Sequence, residues 1–247
     1  MLTEKELEIL RANAKVHKKV FDTIKERVWV GTTAREINEL CLQICTEHNV
    51  IPAFYGVYGF PAYICISVND VVVHGIPRNE IIFQKGDVVT FDFGVKDKEV
   101  GVNTDAAFTM IVWDGPYKPE VVEFLEVNQK ALYKWIAEAR VGNTVGDIGY
   151  AIQSYVEKKG FHIVKELTGH GVGKKLHEEP YVYNYGKKWS GKKLKKWMVL
   201  AIEPIIGFSS GKIIDKWDWE IYIADGSLGC QFEHTILITD GDPEIII

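Results

Sequence analysis

Apolar and polar positions alternate along this chain in two distinct periods. Leu7, Leu10, Ala14 and Phe21 mark one face of a helix, with Thr3 as its N-cap and Glu6 completing a capping box. A second helical stripe, Ile37, Leu40, Cys41, Ile44 and His48, follows Gly31-Thr32-Thr33. Strand-like stretches come next at Tyr63–Val68, Val88–Val95 and Ala106–Val112. Helical patterns return at Pro119–Arg140 and Thr144–Lys159. Strands are then expected near Ile163–Leu167, Met198–Ile206, Trp219–Ile223 and Phe232–Thr239.

The order of elements nearly repeats. "VGTTAREI" from Val30 matches "VGNTVGDI" from Val141, and "HNVIP" meets "KGFHI" at the same offset of 111 residues. Two related α+β halves meeting face to face are expected, roughly 1–115 and 116–247 of one domain. A site between them would draw residues from both.

Five polar residues break the apolar pattern. Asp92 stands between Phe91 and Phe93, and Asp105 precedes Ala106, Ala107 and Phe108. His170 lies between glycines in "LTGHGVG", Glu203 ends "MVLAIEP", and Glu233 stands in "CQFEHTILIT". A carboxylate in such company costs several kcal/mol unless something pairs with it. Four that converge would raise one another's pKa, and divalent cations remove that conflict. Oxygen-rich ligands with one histidine suit Mn, Fe(II) or Co, with Zn or Ni also tolerated, and four carboxylates suit two metals. Taken singly, each of the five also reads as an isolated salt-bridged residue.

Composition narrows the class. The 247 residues are 47% hydrophobic and 26% charged, with a formal net charge of -5. That is ordinary globular composition without the global basic signature of a nucleic-acid binder. No apolar run approaches a membrane span, and the charged start Met1-Leu-Thr-Glu-Lys-Glu is no signal peptide. Cysteines 41, 45, 65 and 230 form no C-x-x-C pair, which fits free thiols in a cytoplasmic protein.

Four stretches in order resemble the methionine aminopeptidases. They are "SVNDVVVHGIP" (67–77), "LTGHGVGKKLHEEP" (167–180), "AIEP" (201–204) and "QFEHTILIT" (231–239), and the lead-in "LTEKELEILRANAKV" is similar too. The resemblance runs over about residues 2–243, and the short N-terminus looks like the bacterial type I form. It implies the α+β pita-bread fold, with two pseudo-symmetric halves and a curved antiparallel sheet flanked by helices. It also implies two divalent metal ions and removal of the initiator methionine from nascent polypeptides, with a small second residue preferred. By position, Asp92 would chelate one metal, Asp105 and Glu233 would bridge both, and His170 and Glu203 would hold the second. His74 would hydrogen-bond the substrate nitrogen or the tetrahedral intermediate, and His177 the substrate carbonyl. A bridging hydroxide would attack, with Glu203 shuttling the proton. Phe54, Val57, Phe60, Cys65 and Trp219 would line an apolar methionine pocket.

This chain departs from the family pattern. Its two aspartates are thirteen apart rather than eleven, and the extra pair of residues is expected in the "KDKEVG" turn. An even insertion keeps side-chain parity, so both can still face one way. Ala106 replaces the threonine after the second aspartate, which removes a supporting hydrogen bond, and Trp197 replaces the glycine before "MV".

Other features compete for attention. "GFSSG" (207–211) has the spacing of a nucleophile elbow, but "KIIDKWDWEIYI" after it alternates like a strand rather than opening a helix. Cys41, Cys45 and His48 have metal-ligand spacing yet lie on or beside the core stripe. His162 reads as a partly buried strand histidine, and His234 as pointing away from the metals. "KKWSGKKLKK" (187–196) holds six lysines. It reads first as a solvated loop and, more sharply, as a contact with ribosomal RNA. A monomer without membrane attachment is expected. The competing functions are an X-Pro-cleaving pita-bread peptidase and a non-catalytic binding protein of the same fold.

Overall fold

The computed structural model describes residues 1–113, 115–216 and 219–247. Helix α1 spans Glu4–Arg27, opened by Thr3 and Glu6 in a reciprocal capping box. Helix α2 spans Ala34–Glu47, capped the same way by Thr33 and Glu36. Helix α3 spans Pro119–Ile136 and α4 Val145–Lys158, the latter capped by Thr144 with Asp147. The stripes read from periodicity are the buried ones, with one exception. His48 caps the end of α2 in solvent, beside the Lys19 ammonium. Helix α3 stops short of Arg140 because residues 138–140 switch to tighter turn hydrogen bonds.

The strands of the first half are β1 (Ile51–Pro52), β2 (Cys65–Val68), β3 (Val71–Val73), β4 (Val88–Lys96) and β5 (Asn103–Ile111). In the second half β6 (His162–Ile163), β7 (Thr168–Gly171), β8 (Glu178–Tyr183), β9 (Val199–Ile202) and β10 (Ile205–Gly207) come first. After them follow β11 (Ile213–Asp215), β12 (Ile221–Ile223), β13 (Gly229–Gln231), β14 (His234–Leu237) and β15 (Glu244–Ile245). All pairings are antiparallel. Strand β4 is flanked by β5 on one edge and by β1 and β2 on the other. The largest sheet runs β15-β14-β9-β7-β8.

The two halves share one register. Ile51 and Pro52 pair with Lys96 and Val95, and 111 residues later His162 and Ile163 pair with Gly207 and Ile206. Gly31 N–H donates to Phe83 O and Gly142 N–H to Leu194 O, again one offset apart. Strand β4 therefore corresponds to β9 and β10 together. It is continuous, whereas its counterpart breaks at Glu203-Pro204, where the chain leaves the β14 partnership for β13. Proline has no N–H to extend a ladder, which suits that break. The stretch Phe232–Thr239 is likewise split, with Phe232 and Glu233 between β13 and β14. Of the expected Ile163–Leu167 strand only Ile163 lies in β6, which begins at His162 instead, and His162 is exposed rather than partly buried.

The principal core lies between the sheets and helices α1 to α4. Ile24, Ile37, Phe124, Trp135 and Ile148 of the helices share this core with Phe91, Phe93 and Phe108 of β4 and β5. Strand alternation then turns Asp92, between two core phenylalanines, and Asp105, beside core residue Ala106, onto the opposite face. Asp105 and Asp92 lie diagonally on adjacent strands, opposite Gly94 and Ala107 respectively. Residues 97–102 connect the two strands, so the "KDKEVG" stretch lies outside the ladder apart from Lys96.

Candidate active site

All twelve residues singled out in the sequence line one cavity of about 270 Å³. At its base are Asp92, Asp105, His170, Glu203 and Glu233. Ligand atoms of Asp92, Asp105 and Glu233 lie within 4.8 Å of one another, as do those of His170, Glu203 and Glu233. The glutamates sit where their chains change sheets, but one unshifted register runs through both breaks, from Ile202 with His234 to Ile205 with Gln231, so Glu203 keeps the strand parity of Asp92.

The hydrogen bonds around the base do not balance its charge. His170 Nδ1 lies 2.9 Å from Gly171 O, and a carbonyl only accepts, so Nδ1 carries the proton. The bare Nε2 then faces Asp105 Oδ2 at 3.6 Å and Glu203 Oε1 at 3.5 Å. Burial, with His177 nearby, holds His170 down at about 3, so it stays neutral. Gln231 Nε2 donates to Glu203 Oε2 at 3.1 Å and to Glu233 Oε2 at 3.2 Å. Asp92 Oδ1, Asp105 Oδ1 and Glu233 Oε1 are buried with no hydrogen-bond partner among the described residues. Burial pushes Asp92 up to about 7. Burial and neighbouring carboxylates push Asp105, Glu203 and Glu233 well above the usual range. Orphaned carboxylate oxygens facing a bare imidazole nitrogen are a donor set for cations, and the residues fit divalent metal.

The side wall is apolar. Phe54, Phe60 and Cys65 pack with half-buried Val57 and Trp219, and the Phe60 and Trp219 rings meet edge-on with centroids 5.6 Å apart. Cys65 pairs with Asp92 in the β2–β4 ladder, so this pocket directly adjoins the acids. His74 lies just past β3 with φ at 59°, and burial and His177 hold it down at about 4, so it is neutral. His177 stands at the rim, its ring 4.5 Å from that of His170, with Tyr58 stacked on its other side.

Sequence reading missed several residues at this cavity. Tyr58, Glu166, Thr168, Leu176, Tyr181 and Gln231 also line it. Thr235 supports it from behind, accepting from Asp105 N–H at 2.9 Å and donating to Asp105 O at 2.6 Å. This hydroxyl holds Asp105 where Ala106 offers none. Gln231 and Thr235 lie in "QFEHT" itself, two residues either side of Glu233, and that spacing was the available signal.

The competing features go elsewhere. Ser209 of "GFSSG" lies between β10 and β11, and a strand follows it. Cys41 and Cys45 are buried in the core, and burial pushes the Cys45 thiol up to about 12. His234 points away from the acids, toward the Tyr133 hydroxyl at 3.3 Å. Among the described residues no helix is long and apolar enough to cross a membrane.

Known proteins resemble this chain over nearly its whole length. Residues 8–240 match metallopeptidase family M24, and that family implies divalent metal ions. The methionine aminopeptidase of Clostridium perfringens is 38% identical over 244 residues, covering 98% of this chain and 96% of its own. The crystal structure of the Thermotoga maritima methionine aminopeptidase superposes with a TM-score of 0.95 at 37% identity, covering 99% of this chain and 97% of that one. The Pyrococcus horikoshii prolidase shares the fold at a TM-score of 0.76 and 25% identity, but this chain covers 62% of its length. The chain belongs to metallopeptidase family M24, among its methionine aminopeptidases.

Proposed function

We propose that the cavity removes the initiator methionine from nascent chains, with a small second residue preferred, using two divalent ions. The observation that carries this is the junction of acids and apolar pocket. The Cys65–Asp92 pairing sets a space for a thioether side chain directly against the acidic base. Asp92, Asp105 and Glu233 would hold one ion, and His170, Glu203 and Glu233 the other, with Asp105 reaching both. Mn, Fe(II) or Co suits this donor set. Bound metal supplies Lewis acidity and an activated water at neutral pH.

The chain's own residues do the rest. Phe54, Val57, Phe60, Cys65 and Trp219 bind the methionine side chain and exclude water from it. Neutral His74 hydrogen-bonds the substrate nitrogen, and His177 at the rim holds the scissile carbonyl. Glu203, raised by burial, carries a proton toward the leaving amine. The unit that performs this is one catalytic domain, 1–247, with halves near 1–115 and 116–247, acting as a cytoplasmic monomer of the type I form. The exposed lysines of 187–196, with Trp189 among them, are a surface for ribosomal RNA.

Peptide assays with metal-loaded protein test the reading. Met-Ala, Met-Gly and Met-Ser peptides should be cleaved well, Met-Leu and Met-Lys poorly, and Xaa-Pro peptides not at all. Equal rates on Met-Ala and Met-Lys would remove the substrate preference, and Xaa-Pro cleavage would move the chain to the prolidase side of the family.

A further inference from the structure

A single buried carboxylate ties the segment after β3 to the long connection 208–228. Glu220 is 4% exposed. Its Oε1 accepts from the Ile76 backbone N–H at 3.1 Å and from Arg78 Nη1 at 2.5 Å, and its Oε2 accepts from the Tyr222 hydroxyl at 2.7 Å. Three donors, one of them charged, satisfy a carboxylate that burial would otherwise penalise.

What it joins bears on catalysis. The β3–β12 ladder ends at the pair Val73 and Ile221, next to a register shift. Just beyond the ladder stand two cavity residues in left-handed backbone, His74 next to Val73 at φ 59° and Trp219 one residue further from Ile221, past Glu220, at φ 78°. Side chains disfavour that conformation, so the surroundings must hold it. On one side of the 74–78 segment, Gly75 N–H is held by Ser67 Oγ at 3.1 Å and Gly75 O accepts from Ile66 N–H. On the other side Glu220 takes over where the ladder stops. It is bonded two residues after His74 and is adjacent in sequence to Trp219.

We propose that Glu220 is a positioning residue for the aminopeptidase reaction, locking the His74 segment and the Trp219 wall of the methionine pocket into one mutual arrangement. It touches no reacting atom and acts through its grip on Ile76 N–H, with Arg78 closing the outer side. The inference rests on the proposed role of His74.

A double-mutant cycle on the metal-loaded enzyme tests it, reading kcat and KM on Met-Ala-Ser, metal content and melting temperature. Misplacing a catalytic group by about 1 Å costs up to ~100-fold, so Glu220→Ala should lose ~10- to 100-fold in kcat while keeping its metal. Its KM should rise as the Trp219 wall loosens. Glu220→Gln should recover most of the kcat, because an amide oxygen still accepts from Ile76 N–H. In a His74→Ala background, Glu220→Ala should cause no further loss of kcat. Unchanged kinetics for Glu220→Ala, or an equal further loss in the His74→Ala background, overturns the proposal. Should Glu220→Ala fail to fold, Glu220→Asp carries the same cycle with the carboxylate kept and its reach shortened. A His74→Ala enzyme with unchanged kcat would instead overturn the role of His74, and the proposal with it, so the two failures are told apart.

Discussion

Ala107 and Glu233 bond to each other across the seam between the halves, and each holds the same register position within its own half. Ala107 N–H donates to Glu233 O and Glu233 N–H to Ala107 O. In the first half β4 and β5 pair Asp92 with Ala107, and in the second half β9–β10 and β13–β14 set Glu203 against Glu233 in the same continuing register. A reciprocal bond between equivalent positions is what a two-fold relation produces. The acids do not obey it fully. Asp92 and Glu203 are equivalent, but Asp105 corresponds to Gln231 and Glu233 to Ala107. The cavity base is thus asymmetric, with a neutral amide donor where a perfect repeat would put another carboxylate.

His74→Ala should keep its metal and lose roughly 100- to 10,000-fold in rate, the range for a positioned proton donor or acceptor. His74 lies outside all three groups of potential ligands, one of which joins His177 to Asp105 and His170, and is held neutral by burial and His177. Metal analysis alongside the assay checks this, and loss of metal from the variant would show its role to be different.

Deleting Lys98 and Glu99 should leave folding and activity within about tenfold, because connections at hairpin tips accept length changes. Lys96 still pairs with Asn103 below them, and Asn13 of α1 still holds Val102 O at 2.9 Å. The Asp97 carboxylate, which now accepts from Glu99 and Val100 N–H, would lose one partner. Disappearance of metal binding would mean that the connection shapes the acids after all.

Chelation should abolish activity and lower the melting temperature. Metal at a hundred times its dissociation constant adds roughly 2.7 kcal/mol. The effect has a pH sign. In the metal-free protein Asp92 is raised from 3.8 to about 7, so its contribution is fully present below about 4 and is lost as pH rises through about 7. The gap between metal-loaded and chelated melting curves should therefore widen from pH 5 to pH 7. Asp105→Asn should bind metal weakly, be nearly inactive, and lose less stability on chelation. A wild-type melting temperature indifferent to verified metal removal would sink the argument from converging carboxylates.

Gly86 and Trp197 turn the same corner in the two halves, at φ 88° and 70°, and donate N–H to Val112 O and Ile238 O. A side chain in left-handed backbone costs about 1–2 kcal/mol. Nothing lies within 4 Å of a Cβ built on Gly86, so Gly86→Ala should be destabilising by about that amount through backbone strain alone. Trp197→Gly should move stability the other way, by less, because the Lys196 ammonium 5.0 Å from the indole loses its contact. Urea unfolding of both variants checks the opposite signs.

Caps, helical stripes and the long strands could be read from the chain, because each follows from local chemistry. Thr3, Thr33 and Thr144 announce their helices, and the five polar intruders announce the site. The breaks at Glu203-Pro204 and Phe232-Glu233 could not be read, since an apolar run gives no sign of where it changes partners. Short strands such as Val71–Val73 and the glycine-rich Thr168–Gly171 are made by tertiary pairing rather than by propensity. Gln231 and Thr235 act on neighbours remote in sequence, Glu203 and Asp105, so their roles need coordinates.

The connection 208–228 has a counterpart of only six residues, 97–102, at the other end of the two-fold relation. The first half has nothing of that length there, and Trp219 and Glu220 both ride on it. Grafting this segment from a relative should therefore reshape the pocket wall while the strands that carry the acids stay in place. A donor segment from a relative must bring its own partner for the 76–78 stretch, however, because Glu220 makes those two pieces one exchangeable cassette.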